Sequence, residues 1–422
     1  MGDAKKKTGE IRGGDVEMCR NLIPTLPDDL AMECLLRVPY QFHSAMKSVC
    51  HAWRSLISHP SFYRERRRCG KADPLLCLVQ SLVPSTPPAT ESVVYDGEKK
   101  TEDGESVQPR VCDTLRYGLS VYNASANTWH RVALPERIPL FCECVALQDA
   151  GKVLLIGGWD PETLQPVRDV FVLDFAGEGS GRRWRRGAPM AVARSFFACA
   201  AVGPAKVYVA GGHDDQKNAL RSAEMYDVQK DEWRTIPPME EGRDECHGFT
   251  MPGDLGFCVL SGYGTETQGR FRSDAEVYDP ASDSWTRIEN AWPFPDTSPR
   301  GRIVVSGGEI GGRRLRCFTN SDRQNQLRWE AEDNSKKWKL VVETMKLPVA
   351  GTSIFAGSMG GCGGERAVVM VGAETKCGGE CEGEGAMMMM MTTAEKQGVK
   401  CGHVHTPLGF SSQPFSHTTI CL

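Results

Sequence analysis

Two hydrophobic periods divide the chain. From Leu22 to Arg68, apolar residues recur at three- and four-residue steps: Leu30, Cys34, Leu35 and Val38, then Phe42, Ala45, Met46, Val49, Trp53, Leu56 and Ile57. That spacing predicts amphipathic helices. Thr25, Pro27, Asp28 and Asp29 mark a helix start, because Thr can cap, Pro suits the first turn and the acids complement the dipole. Pro39 stops the first helix, and His59-Pro60 separates the second from a third opening at Pro60-Ser61-Phe62-Tyr63. A unit this short buries little surface alone, so it is expected to lean on a partner or on the rest of the chain.

After Pro74 the period changes to short Val-, Ala- and Tyr-rich runs ending in Gly, Pro or Asp, the mark of successive strands and turns. The clearest example spans Arg194 to Met239. It holds Arg194-Ser195-Phe196-Phe197, a run ending in Gly211-Gly212, then Tyr226-Asp227 and Trp233. Paired glycines suit a tight exit from a buried strand, and the Trp ring can wedge between sheets. The unit recurs. Trp129, Trp184, Trp233, Trp285 and Trp338 are spaced by 55, 49, 52 and 53 residues, and Gly157-Gly158, Ser261-Gly262, Gly307-Gly308 and Tyr278-Asp279 keep the other marks in register.

The segment 84–110 is rich in Pro, Ser, Thr and charge and reads as a polar insertion, while 1–20 reads as disordered. Residues 375–400, with Gly, Glu and Cys followed by Met387 to Met391, read as a low-complexity insertion in a sixth, degenerate unit. The first unit lacks an opening strand. The segment from His405 to Phe410 resembles Met190 to Phe197 and is expected to lead the chain back to complete it, closing a ring without an open edge.

The net charge of −4 with mixed signs suggests neither nucleic acid nor membrane as a partner, and no run approaches a membrane span. Seventeen cysteines with no apolar signal core at Met1 read as reduced residues of a cytosolic protein, with the nucleus also open. Chemistry-bearing sets are sparse. Cys377, Cys381, Cys401, His403 and His405 lack paired zinc knuckles, and Glu241, Asp244 and His247 make a poor iron or acid–base set. No metal, cofactor or catalytic residue is expected, and the chain is read as no enzyme.

Leu26-Pro27-Asp28-Asp29-Leu30, Cys34-Leu35-Leu36-Arg37-Val38-Pro39, Val49-Cys50-His51-Ala52-Trp53-Arg54 and Pro60-Ser61-Phe62 together resemble the F-box. The fifty-residue unit with paired Gly, Tyr-Asp and Trp resembles the kelch repeat, one blade of a β-propeller. The expected architecture is a small all-α F-box domain at 21–69, followed by an all-β kelch propeller of six blades at 74–422. In the F-box family the helical unit docks a Skp-type adaptor and through it a cullin ubiquitin ligase. The residues carried over for adaptor contact are Leu26, Pro27, Leu30, Leu35, Leu36, Pro39, Val49, Cys50, Trp53 and Leu56.

The whole chain resembles the plant F-box/kelch-repeat proteins. The opening Leu22-Ile23-Pro24-Thr25-Leu26-Pro27, with Phe62-Tyr63-Arg64 and Gly242-Arg243-Asp244-Glu245-Cys246, points to the subgroup that directs ubiquitination of phenylalanine ammonia-lyase in phenylpropanoid metabolism or, in related members, of type-B response regulators. The rival is a kelch scaffold or metal-dependent kelch enzyme without a ligase role. Kelch propellers use recurrent loop arginines to grip carboxylates. The expected substrate face therefore combines Arg194, Arg243 and Arg300 with Trp159, His213, Asp214 and Tyr263, all in loops at one end of the blades.

Overall fold

The computed structural model describes residues 22–82, 116–134, 137–175, 183–251, 256–307, 313–318, 325–331, 338–344, 353–359, 365–372, 387–394 and 398–422. The expected disordered start and the insertion at 84–110 lie outside them.

The helical unit consists of α1 (Asp28–Leu36), a 3-10 turn (Tyr40–Phe42), α2 (His43–Met46), α3 (His51–Ser58) and α4 (Pro60–Arg68). Two local expectations change. Pro27 rather than Thr25 holds the N-cap position of α1, without a side-chain cap, and Thr25 takes φ 70° in the bend before it. The run from Phe42 to Ile57 is two helices, because Cys50 adopts extended backbone and its Sγ accepts from the Trp53 N–H at 3.5 Å, starting α3 afresh.

The rest forms six four-stranded antiparallel sheets in a propeller-like arrangement. The first holds Pro74–Ser81, Tyr117–Asn123 and Thr128–Val132, with Pro414–Cys421 paired antiparallel along Pro74–Ser81. The second holds Glu143–Leu147, Lys152–Ile156, Val170–Asp174 and Arg183–Arg186. The third holds Ala198–Val202, Lys206–Ala210, Ala223–Asp227 and Glu232–Ile236, and the fourth His247–Thr250, Phe257–Leu260, Ala275–Asp279 and Ser284–Ile288. The fifth holds Ile303–Gly307, Arg313–Phe318, Asn325–Ala331 and Trp338–Thr344, and the sixth Ser353–Met359, Glu365–Gly372, Met387–Ala394 and Gly398–Val404. The segment 375–400 is therefore not wholly an insertion. Five consecutive methionines carry no alternation, so the sequence hides a strand that pairing with Glu365–Gly372 reveals, with Met388 fully buried.

The repeat marks are cross-strand partners. Tyr226 sits opposite Trp233, Tyr278 opposite Trp285 and Tyr122 opposite Trp129. Three indole N–H groups reach back to a backbone carbonyl just after the preceding sheet: Trp184 to Ala133 at 2.8 Å, Trp233 to Ala188 at 2.8 Å and Trp285 to Pro237 at 2.6 Å. Trp129 makes the same bond to the carbonyl of His405, just after the sixth sheet, at 3.1 Å. The second glycine is required by close approach at Gly158 and Gly212. A Cβ on Gly212 would lie 2.4 Å from the Ser195 carbonyl oxygen, and on Gly158 2.3 Å from that of Leu140.

Arg194 and Arg243 correct an expectation, because neither reaches solvent. Arg194 donates to the carbonyls of Gly211 and Ser222 and pairs with Glu224 at 2.9 Å. Arg243 donates to the Ser261 carbonyl and pairs with Asp274 and Glu276, each at 3.0 Å. These guanidinium forks tie the entry of one sheet to the strand ends of that same sheet. Burial opposes ionisation of Asp274, yet hydrogen bonds from Arg272 and Arg243 hold its carboxyl below the usual carboxylate range.

The helices rest on the sheets through one continuous core that joins Leu35, Leu36, Tyr40, Ile57 and Phe62 to Leu75, Cys77 and Leu155. A buried polar knot locks the joint. Arg66 donates to the carbonyls of Val38 and Lys71 and pairs with Asp73 at 3.0 Å, whose carboxylate also accepts from the Tyr40 N–H at 2.7 Å. Arg66 also donates to His43 Nε2. Burial and the adjacent guanidinium push the His43 imidazole down to about 3.

Two outcomes follow for stability. Arg243→Ala leaves the buried Glu276 carboxylate without its cation, while Asp274 keeps Arg272 and Arg287, and should cost about 3–5 kcal/mol in chemical denaturation; a loss near that of a surface charge, below about 1 kcal/mol, would make the pair dispensable. For His43, the unfolded chain takes up a proton below pH 6.5 while the folded chain does not. Stability is therefore complete above that pH and falls on acidification, by about 2 kcal/mol at pH 5. His43→Gln should remove that share of the pH dependence between melts at pH 7 and pH 5, and an unchanged dependence would show that the imidazole is not held neutral.

Candidate functional site

Two surfaces present apolar groups to solvent, and they lie at opposite ends of the sheets. The helical unit contacts the end where first and second strands are joined. Arg67 donates to the Gln148 carbonyl at 2.8 Å and pairs with Asp149 at 2.6 Å, and the Tyr40 ring lies 5.8 Å from that of Phe175. The chain then crosses each sheet once along its second strand, so the glycine pairs and the loops that enter the next sheet lie at the far end.

On the helical unit, Leu30 is 52% exposed, Val49 62% and Phe42 50%. Pro27, Pro39 and Cys50 are also exposed, while Leu26, Trp53 and Leu56 are partly buried. The Trp53 indole donates to the Leu22 carbonyl at 2.7 Å, fixing the chain that leads into α1. Leu35 and Leu36 are corrected: both are buried in the shared core and are not available to a partner. The cause is helical phase, since α1 turns Ala31 and Leu35 inward and Leu30 and Cys34 outward. Phe42, assigned from its spacing to the buried face, is exposed because the 3-10 turn re-aims it.

At the far end, four sheets repeat one unusual backbone position. Phe141, Phe196, Glu245 and Gly301 each stand two residues before their sheet's first strand, with φ of 57°, 54°, 50° and 64°. Bulky residues pay strain in this left-handed region, which the surrounding contacts must over-determine. Together these four line a cavity of about 240 Å³ with Phe355, Gln413, Pro414 and Phe415, and Phe415 is 40% exposed at its lip. The Phe141 ring lies 5.1 Å from Phe196, 5.2 Å from Trp159 and 4.6 Å from Phe415.

Around this mouth, Trp159 is partly buried, and its indole donates to His213 Nε2 at 3.3 Å. His213 and Tyr263, expected as contact residues, are buried supports. The His213 ring stacks on Phe196 and its Nδ1 meets Asp244 at 2.9 Å, while Tyr263 donates to Glu245 at 3.2 Å. Asp214 is half-buried and caps its own loop through the Gln216 and Asn218 N–H groups, each at 2.9 Å. Arg300 alone of the three arginines reaches the mouth. It donates to the carbonyls of Phe197 and Cys246, each at 2.9 Å, and pairs with Glu143. Below it a cavity of about 360 Å³ runs between the first strands, lined by His247, His417 and Ser416. Burial pushes the imidazoles of His247 and His417 down to about 3 and about 4, so both are neutral near pH 7.

Sequence reasoning missed Phe141, Phe196, Glu245 and Phe415. Their signal was positional, two residues ahead of each first strand, but the residue types differ from repeat to repeat. Among the described residues no group of three or more His, Cys, Asp or Glu could hold a metal ion, and Cys377 and Cys381 lie outside them. No described helix is long and apolar enough to cross a membrane.

Comparison with known proteins matches the F-box domain at residues 23–65 and the kelch motif at residues 193–240. The F-box/kelch-repeat protein SKIP20 of Arabidopsis thaliana is 62% identical over the full length of both chains. The Arabidopsis F-box/kelch-repeat protein At2g44130 is 62% identical across 97% of this chain and 98% of its own. A third, At1g80440, is 37% identical over 63% of this chain and 68% of its own. Proteins of this kind generally act as substrate adaptors of ubiquitin ligases. The chain belongs to the plant F-box/kelch-repeat proteins.

Proposed function

We propose that this chain is the substrate receptor of a Skp–cullin–F-box ubiquitin ligase, docking the adaptor through Leu30, Val49 and their exposed neighbours and capturing its substrate at the far mouth. The observation that carries this is the pairing of two exposed apolar surfaces at opposite ends of units that share one core. The helical unit keeps Leu30, Phe42 and Val49 in solvent although it shares a core with the sheets. Solvated apolar side chains grouped on one small unit mark a protein interface. The chemistry is proximity: the joint holds a captured lysine near the ligase's ubiquitin-charged partner at high effective concentration.

The proposed target to test first is phenylalanine ammonia-lyase, with type-B response regulators as the comparison. Support comes from the resemblance at Gly242-Arg243-Asp244-Glu245-Cys246, a segment that the structure sets at the mouth. We also infer that the six sheets are blades of one closed ring. Trp129 binds the His405 carbonyl as the other indoles bind theirs, and Pro414–Cys421 supplies the first sheet's innermost strand.

Leu30→Glu with Val49→Glu should weaken capture of a purified Skp adaptor on the order of a hundredfold, with the melting temperature unchanged. Wild-type capture would move the docking face elsewhere. In plant cells the same variant should lengthen the half-life of co-expressed phenylalanine ammonia-lyase; a lengthened half-life for a response regulator alone would transfer the target assignment. Deleting 407–422 exposes an edge and should lower the melting temperature far more than loss of a loose tail, and equal melting temperatures would refute closure.

A further inference from the structure

The mouth is built from aromatic faces, and the chain fills several of them with its own cations. Lys217 Nζ lies 3.8 Å from the Trp159 ring centre, the Arg300 guanidinium 5.5 Å from that of Phe196, and the Arg131 guanidinium 4.8 Å from that of Phe410. Among the described residues no cation lies over Phe141 or Phe415. These two rings meet edge to face at the lip of the 240 Å³ cavity, and Glu245 lines the same cavity.

The charges there do not balance. Arg300 is the one guanidinium lining the cavity, and it is already paired with Glu143 and bonded to two carbonyls. Glu245 accepts from a neutral phenol, that of Tyr263, and has no ion-pair partner among the described residues. The imidazoles of His247 and His417 below are neutral. With Glu143 in the cavity below counted, one guanidinium stands against two carboxylates, which leaves a net negative charge beside the exposed Phe415 ring.

We propose that the mouth receives a basic side chain, lysine or arginine, from an extended segment of the captured protein, seated in the cavity against the exposed Phe415 ring with its charge on Glu245. An aromatic ring face attracts a cation, and a partly desolvated carboxylate strengthens the attraction. A carboxylate from the partner would meet Glu245 and find Arg300 already engaged. An uncharged apolar side chain would fit the rings but leave Glu245 desolvated without a cation. This inference rests on the proposal that substrate docks at this end, and it adds the chemical class of the anchor.

The test uses the full chain co-purified with its Skp adaptor and synthetic peptides on an Ala/Ser/Gly background, identical except for a central Lys, Arg, Gln, Leu or Glu. Fluorescence anisotropy should show Lys and Arg peptides binding about tenfold more tightly than the Glu peptide. Glu245→Gln should bring the series to near parity without shifting the melting temperature, Glu245→Arg should reverse the order, and Phe415→Ala should weaken all. Binding that is lost in Phe415→Ala but favours Leu or Glu would overturn the basic anchor and leave the mouth as the docking end. Peptide binding indifferent to both Glu245 and Phe415, or no binding at all, overturns the anchor. The mouth itself fails as well if Phe415→Ala also leaves the substrate's half-life in cells unchanged.

Discussion

The indole N–H that Trp129, Trp184, Trp233 and Trp285 each donate to the chain just after the preceding sheet is the contact on which this architecture depends. A four-stranded sheet has apolar faces that must be covered. What makes it persist is burial of its faces against its neighbours, and burial alone fixes neither the distance nor the rotation of one sheet on the next. The indole bond does, because it ties the outer strand of one sheet to a fixed carbonyl on the chain just beyond its neighbour. At Trp184, Trp233 and Trp285 the acceptor is the residue at which the chain leaves the preceding sheet, so each sheet is pinned where its neighbour ends.

That repetition explains why the buried arginines are structural. Arg194 and Arg243 stand at the entry of a sheet and reach the acid in its third strand, the Glu of Ala223-Glu224-Met225-Tyr226-Asp227 and of Ala275-Glu276-Val277-Tyr278-Asp279. A loop arginine at a repeating position looks like a recognition device until its partner, some thirty residues on, is noticed in the same repeat. The acid was legible beside the Tyr-Asp mark. Its pairing was not, because pairing depends on which face of the third strand meets the entry loop, and that follows only once strand order is known. Arg300 occupies the analogous loop yet turns inward to Glu143, so the three arginines that sequence spacing groups together divide into two roles.

Strand content, the positions of the turns and the helical character of the first unit were readable, since period and turn chemistry are local properties. Leu35 and Leu36 were not separable from Leu30 by spacing, because the shared core with Leu75 and Cys77 decides which face of α1 is inward. The strand of methionines escaped for the opposite reason. Met has no branching that favours a strand and no polarity to alternate, so only its pairing partner reveals it.

The positions best placed to tune recognition are those where the repeat fixes the backbone and leaves the side chain free. Phe141, Phe196, Glu245 and Gly301 share one left-handed conformation, set by the turn that feeds each first strand and not by the residue that occupies it. The strain of holding a Phe there is met by the rest of the sheet, so changing the side chain alters the cavity while the frame stays put. Conserved geometry with varied chemistry lets one fold serve many partners. Gly301 shows the other half of the device: a Cβ there would come within 2.9 Å of the Phe355 ring, so its absence keeps that wall of the mouth open. Recognition can thus diverge at these positions without disturbing the indole bonds and buried ion pairs that hold the sheets, or the Arg66 knot that sets their orientation to the adaptor-facing helices.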